Sequence, residues 1–201
     1  RTSSSAASDV YKRQAKRLNK TIKLVAQIDN SMDGFNARVY PVLVDSKHPL
    51  AAIRGALNAV LVEGENINQL VFSGPGAGSD PTASAIIGDV FSACHQMLSS
   101  QTNWYPLRTP KSGDKEFKDV QSSWFIRLSV KDEPGVLATI AGLFGQNNVS
   151  IESVIQEGRG DNAELVLVTH EAEENNLTSS IESISKLSSV SSVTSTIRVY
   201  I

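Results

Sequence analysis

Residues 124–200 carry two hydrophobic periods in turn, and their order restricts the fold more than any other feature of the chain. Trp124, Ile126, Leu128 and Val130 alternate with Phe125, Arg127 and Ser129, which predicts a strand with one aliphatic face. Asp132-Glu133-Pro134-Gly135 breaks that strand, and Val136, Leu137, Ile140, Ala141 and Phe144 then recur at helical spacing until Gly145 and Asn148 end the helix. Residues 150–156 return to strand around Ile151, Val154 and Ile155. Gly158-Arg159-Gly160-Asp161 reads as a hairpin turn, and residues 163–169 form the next strand. Leu177, Ile181, Ile184 and Leu187 stripe a second helix before a last strand over residues 193–200. The order β-α-β-β-α-β predicts a ferredoxin-like split βαβ fold.

The first half is patterned less cleanly. Residues 22–28 alternate, residues 37–44 repeat the signal around Val39, Val42 and Val44, and Met32-Asp33-Gly34 lies between, so a hairpin is expected. Lys47-His48-Pro49-Leu50 opens a short helical or irregular link. Strands follow over 57–62 and 70–72, separated by a turn at Gly64, Asn66 and Asn68. After Gly74-Pro75-Gly76-Ala77-Gly78, Pro81 suits the first turn of a helix whose apolar residues Ile86, Val90, Phe91 and Met97 are expected to cover the sheet.

Periodicity lapses over residues 99–123, where Lys111, Lys115 and Lys118 interleave with Asp114, Glu116 and Asp119, as in a solvated linker. Residues 1–14 lack either period and any apolar signal-peptide core, and are set apart as a non-native or disordered segment. The expected division is therefore 15–98, a linker over 99–123, and 124–201.

Several functions are disfavoured at this level. A net charge of −2, with both signs dispersed, supplies no sustained field for a phosphate backbone, so no nucleic-acid partner is expected. The single cysteine, Cys94, cannot close an intrachain disulfide and is expected to be a buried small residue. No cysteine–histidine spacing suggests zinc, so no metal site is expected and a reducing, cytoplasmic compartment is. No apolar run approaches the roughly 20 residues that cross a bilayer, and no membrane partner is expected.

Glycines in the 74–78 turn allow positive φ and close approach of another group to the backbone, while the N–H groups of the following helix can hold an anion or polar ligand. The spacing is no dinucleotide fingerprint, because Ser79 stands where a third glycine belongs, and no G-K-[ST] follows. His48, His95 and His170 are scattered, and Glu63, Asp80 and Asp89 have no spacing that implies paired acid–base work. No catalytic residue is assigned.

The ordered runs Ala37-Arg38-Val39-Tyr40-Pro41, His48-Pro49-Leu50-Ala51, Asn58-Ala59-Val60, Gly74-Pro75-Gly76-Ala77-Gly78 and Pro81-Thr82-Ala83-Ser84-Ala85 resemble the carboxyl-terminal part of homoserine dehydrogenase. The resemblance implies an NAD(P)-dependent oxidoreductase that interconverts homoserine and aspartate 4-semialdehyde on the way to threonine and methionine. By that resemblance Gly78 approaches the nicotinamide cofactor, and Gly76 and Ala77 shape its turn. The family's Rossmann domain, catalytic lysine and acidic substrate-binding residues have no match here. The expected reading is a fragment, inactive and without stable cofactor binding on its own. Lys16, Lys20 and Lys23 take no catalytic role.

Residues 124–201 resemble an ACT domain, the amino-acid-sensing module of many biosynthetic enzymes, through the D-x-P-G-V-L turn and Val149-Ser150-Ile151. The expected fold class is thus α/β (α+β): a partial mixed-sheet catalytic domain followed by a ferredoxin-like βαββαβ ACT domain. Asp132, Gly135, Val136, Leu137, Ser150 and Ile151 are candidate effector contacts, on the expectation that the turn after the first strand and the opening of the second lie side by side. Pathway logic points to threonine as effector, and such domains often bind at a dimer interface, which implies a homo-oligomer. The other reading is an autonomous, non-catalytic amino-acid-binding module.

Overall fold

In the computed structural model, residues 15–16, 18–31, 34–99, 121–158 and 163–200 are described. Segment 1–14, the Met32-Asp33 turn, most of the 99–123 linker and the Arg159-Gly160-Asp161 part of the expected hairpin turn lie outside them. The elements are strands β1 (Lys20–Ser31), β2 (Gly34–Asp45), β3 (Leu57–Gly64), β4 (Asn68–Pro75), β5 (Gln121–Val130), β6 (Ile151–Glu157), β7 (Ala163–Thr169), β8 (Ala172–Glu173) and β9 (Val190–Val199). The helices are α1 (Ser79–Ser99), α2 (Val136–Gln146) and α3 (Glu174–Ser185), with a 3-10 turn at Pro49–Ala52.

The later block has the expected topology. Its strands run in the order β9-β5-β7-β6, with β5 antiparallel to both β7 and β9, and β6 antiparallel to β7. The alternation of β5 decides the layers. Trp124, Ile126, Leu128 and Val130 face the helices and pack with Ile140, Phe144, Leu165, Leu167, Leu177 and Ile184 in one buried cluster. This follows from the period of two meeting the helical stripes of α2 and α3.

The opposite face of the sheet shows how the first half enters. Phe125, Val166, Val168 and Val199 form a second buried cluster with Ala15 and Leu43, and Leu18, Ile22 and Ile197 pack against it. The expected hairpin exists as a 12-by-12-residue ribbon, β1 paired antiparallel with β2 from Lys20↔Asp45 to Ser31↔Gly34. Its strand β2 adds to the ACT-like sheet in parallel with β9, through Val42↔Arg198 and Leu43↔Val199, and the Tyr200 N–H donates to the Leu43 carbonyl at 2.8 Å. The sheet therefore reads β1-β2-β9-β5-β7-β6. The compact unit takes in the ribbon together with the later block, while a second unit begins at Lys47. This spatial division crosses the sequential one expected from periodicity.

The second unit contains the antiparallel pair β3–β4, registered Leu57↔Pro75 to Gly64↔Asn68, and α1. His48 acts as a turn residue: its Nδ1 accepts from the Leu50 N–H at 3.3 Å and caps the 3-10 turn. The expectation that the helix covers the sheet is not met. No described residue of α1 is buried, and Phe91, Met97 and Leu98 are 72%, 83% and 86% exposed. Cys94, expected inside, is exposed for the same reason. A two-stranded ribbon presents too little apolar area to bury a 21-residue helix. Val60 and Phe72, cross-strand partners on β3 and β4, are likewise open.

Candidate functional site

Two places in the fold hold the residues singled out above. The first is the glycine turn between β4 and α1. The Gly76 N–H donates to the Ala56 carbonyl at 3.1 Å, which continues the β3–β4 ladder one step past Pro75. A Cβ built on Gly76 would overlap the Asn58 side-chain amide, so only glycine fits beneath that side chain. Gly78 takes φ +133°, a conformation that side chains of L-residues disfavour, and its carbonyl accepts from the Thr82 N–H at 3.2 Å to start α1. Ala77 is exposed between them. The result is a turn whose own side chains are limited to the Ala77 methyl, leading into a helix N-terminus, with the Ser79 hydroxyl bonded to Asp80 at 3.2 Å in the first turn. Asn58 is the residue that sequence reasoning passed over; it stands in a quoted motif, yet nothing local indicates that it overlies Gly76.

The second place is α2 with its two ends. At the amino end, Gly135 takes φ +92° and its carbonyl accepts from the Thr139 N–H at 2.9 Å and the Thr139 hydroxyl at 3.0 Å. No side chain caps the helix there. Asp132 accepts from Gln156 Nε2 at 2.8 Å, and the Lys131 N–H donates to the Ser189 carbonyl at 2.9 Å. Val136 is buried in the core, whereas Leu137 is 40% exposed and available to a ligand or partner. At the carboxyl end, Ser150 accepts from the His170 N–H at 2.9 Å, and Ile151 packs against the helix-side core. An open cleft of about 450 Å³ lies here, lined by Ala141, Gly145, Asn148, Val149, Ser150 and Ile151.

The expectation that all six residues share one end of the sheet is corrected by the register. Val130 pairs with Ala163, and Glu157 with Glu164, at one end; Ile151 pairs with Thr169, whose Oγ1 accepts from the Trp124 N–H, at the other. A right-handed crossover through α2 returns β6 parallel to β5, so β6 starts where β5 starts and not where it ends. The 11 residues of α2, at 1.5 Å each, hold Gly135 and Ser150 roughly 16 Å apart along the helix axis. Asp132, Gly135, Val136 and Leu137 are thus brought together, and Ser150 and Ile151 form a separate group.

Among the described residues, no cluster of histidine, cysteine, aspartate or glutamate could hold a metal ion. None of the helices there is long and apolar enough to cross a membrane.

Two family models match in sequence order: Homoserine dehydrogenase over residues 2–91 and ACT domain over residues 124–189. These two stretches belong to the homoserine dehydrogenase and ACT families. The homoserine dehydrogenase match begins inside segment 1–14. Homoserine dehydrogenase of Mycobacterium tuberculosis H37Rv is 37% identical, over 92% of this chain and 44% of its own length. The Synechocystis enzyme is 36% identical, over 92% of the chain and 45% of its own length. The crystal structure of a homoserine dehydrogenase from Thiobacillus denitrificans superposes with a TM-score of 0.86 at 28% identity, covering 94% of this chain and 44% of that one. The chain thus spans less than half the length of the homoserine dehydrogenases it matches. Those relatives are oxidoreductases and in general NAD(P)-dependent, and ACT domains generally bind amino-acid effectors.

Proposed function

We propose that the intact protein interconverts L-homoserine and L-aspartate 4-semialdehyde with NAD(P), and that this chain supplies its cofactor-facing glycine turn and its regulatory domain. The supporting observation is the turn itself: glycine is required by overlap at position 76 and by φ at position 78, inside the stretch that matches the family. In this reading residues 15–98 are the end of the catalytic domain, 99–123 the linker and 124–201 the ACT domain. The 76–78 turn fits one part of a nicotinamide cofactor, because Gly78 has no Cβ and Ala77 has only a methyl, so a flat ring can come close to the backbone there. Gly76, Ala77 and Gly78 would form that contact, and the bound cofactor would supply the hydride chemistry. The chain's own residues keep the approach open and orient it. Purified alone, the chain is expected to form no NADPH from homoserine above a buffer blank; measurable turnover would contradict the assignment of catalysis to segments upstream.

The ACT domain is proposed to carry amino-acid feedback, with threonine as effector. Its six candidate contacts come together only between two copies. β6 is an edge of the sheet among the described residues, with Val154 and Ile155 exposed, and the Gln156–Asp132 bond ties its far end to the loop before α2. Antiparallel pairing of two β6 edges about a two-fold axis would place the Gly135 end of one copy beside the Ser150 end of the other.

Val154→Lys sets like charges near the middle of that pairing and is expected to give a monomer by sedimentation, with threonine binding weakened at least about tenfold by calorimetry. Undiminished threonine heat from a monomeric variant would overturn the shared site. Another amino acid binding where threonine does not would overturn the effector.

A further inference from the structure

Arg198 makes more kinds of contact than any function assigned so far requires. It stands on β9 opposite Trp124 of β5. Its guanidinium lies 4.3 Å from the Trp124 ring centroid and 4.6 Å from that of Tyr40 on β2, and Nη2 is 2.6 Å from Glu174 Oε2, at the first residue of α3. One side chain therefore touches the ribbon, the centre of the sheet and a helix start. The carboxylate it holds sits where a helix N-terminus favours negative charge.

The connection continues outward. Arg38 Nε donates to the Tyr40 hydroxyl at 2.7 Å, that hydroxyl donates to Gln27 Oε1 on β1 at 2.6 Å, and Arg38 pairs with Asp29 at 2.7 Å. Against this, the backbone seam between the ribbon and β9 shows, among the described residues, two paired positions and the Tyr200 hydrogen bond. So short a parallel pairing is weak by itself. A planar cation held between two rings and a carboxylate is not replaceable by lysine, whose ammonium cannot stack on both faces. Strand β2 ends at Asp45, just before the second unit begins at Lys47.

We infer that Arg198 is a positioning residue that couples the helix layer of the ACT domain to the β1–β2 ribbon. Its regulatory meaning rests on the feedback reading above; its mechanical role does not.

Amide hydrogen exchange on the full chain tests both parts. Without any ligand, Arg198→Ala is expected to speed exchange over residues 38–43 about tenfold while β5 and β7 stay protected. Arg198→Lys should recover less than half of the protection. Tyr40→Leu, which removes the ring from the ribbon side, should give the same local pattern and should not add to Arg198→Ala. Unchanged exchange over 38–43 in both single variants would overturn the coupling.

With L-threonine as probe, the unmodified chain is expected to slow both at residues 131–137 and at 38–43, and Arg198→Ala to keep the first response and lose the second. Equal slowing at 38–43 in that variant would also overturn the coupling. No response to threonine in any variant would count against the feedback reading alone, with the ligand-free comparison still deciding the joint.

Discussion

Gly76→Val is expected to lower homoserine-dependent NADPH formation by the intact enzyme about 100-fold, the scale of loss that a displacement near 1 Å at a reacting centre produces. The cause is steric and local. A Cβ at this position overlaps the Asn58 amide, and the Gly76 N–H is tied to the Ala56 carbonyl, so Asn58 must swing off the turn or the ladder must open. Either change alters the turn that the cofactor is proposed to approach. Gly74→Ala is the control: nothing lies within 4 Å of a Cβ there, and near-normal turnover is expected. Steady-state kcat/KM for both variants decides the matter, and equal activities would remove the turn from the cofactor site.

The second large effect concerns stability. Phe144→Ala is expected to destabilise the ACT unit by about 3–5 kcal/mol, since Phe144 is fully buried among Ile140, Leu165, Leu167 and Ile184, where a cavity cannot collapse freely. Leu98→Ala, at an 86% exposed position on α1, is expected to change stability by less than about 0.5 kcal/mol. Urea unfolding of the purified chain measures both. A Phe144→Ala cost below about 1 kcal/mol would show that the helix layer is not the core that holds this sheet.

Much of the later block was legible because two different periods meet there. The alternation from Trp124 to Val130 and the stripe from Val136 to Phe144 each specify a face, and the faces must meet. The direction of β6 follows from the same reasoning, since a crossover through α2 makes β6 parallel to β5 and opens it at the end away from the D-x-P-G turn. The D-x-P-G turn and Val149-Ser150-Ile151 looked adjacent as motifs, while the crossover puts 11 helical residues between them in space.

The ribbon's union with β9 had no local signal at all. Two parallel pairs, Val42↔Arg198 and Leu43↔Val199, join segments from opposite ends of the chain, and neither strand's pattern names its neighbour. Stacking of Arg198 between Tyr40 and Trp124 is invisible for the same reason. For α1, periodicity identified the apolar face but could not say what covers it. Within the described residues nothing does.

The coding sequence upstream of Ala15 tests the central claim most directly. A continuous frame encoding a dinucleotide-binding domain and a lysine-bearing catalytic segment is the predicted result. A native start near Ala15 would contradict it, leaving an amino-acid-binding module without dehydrogenase chemistry.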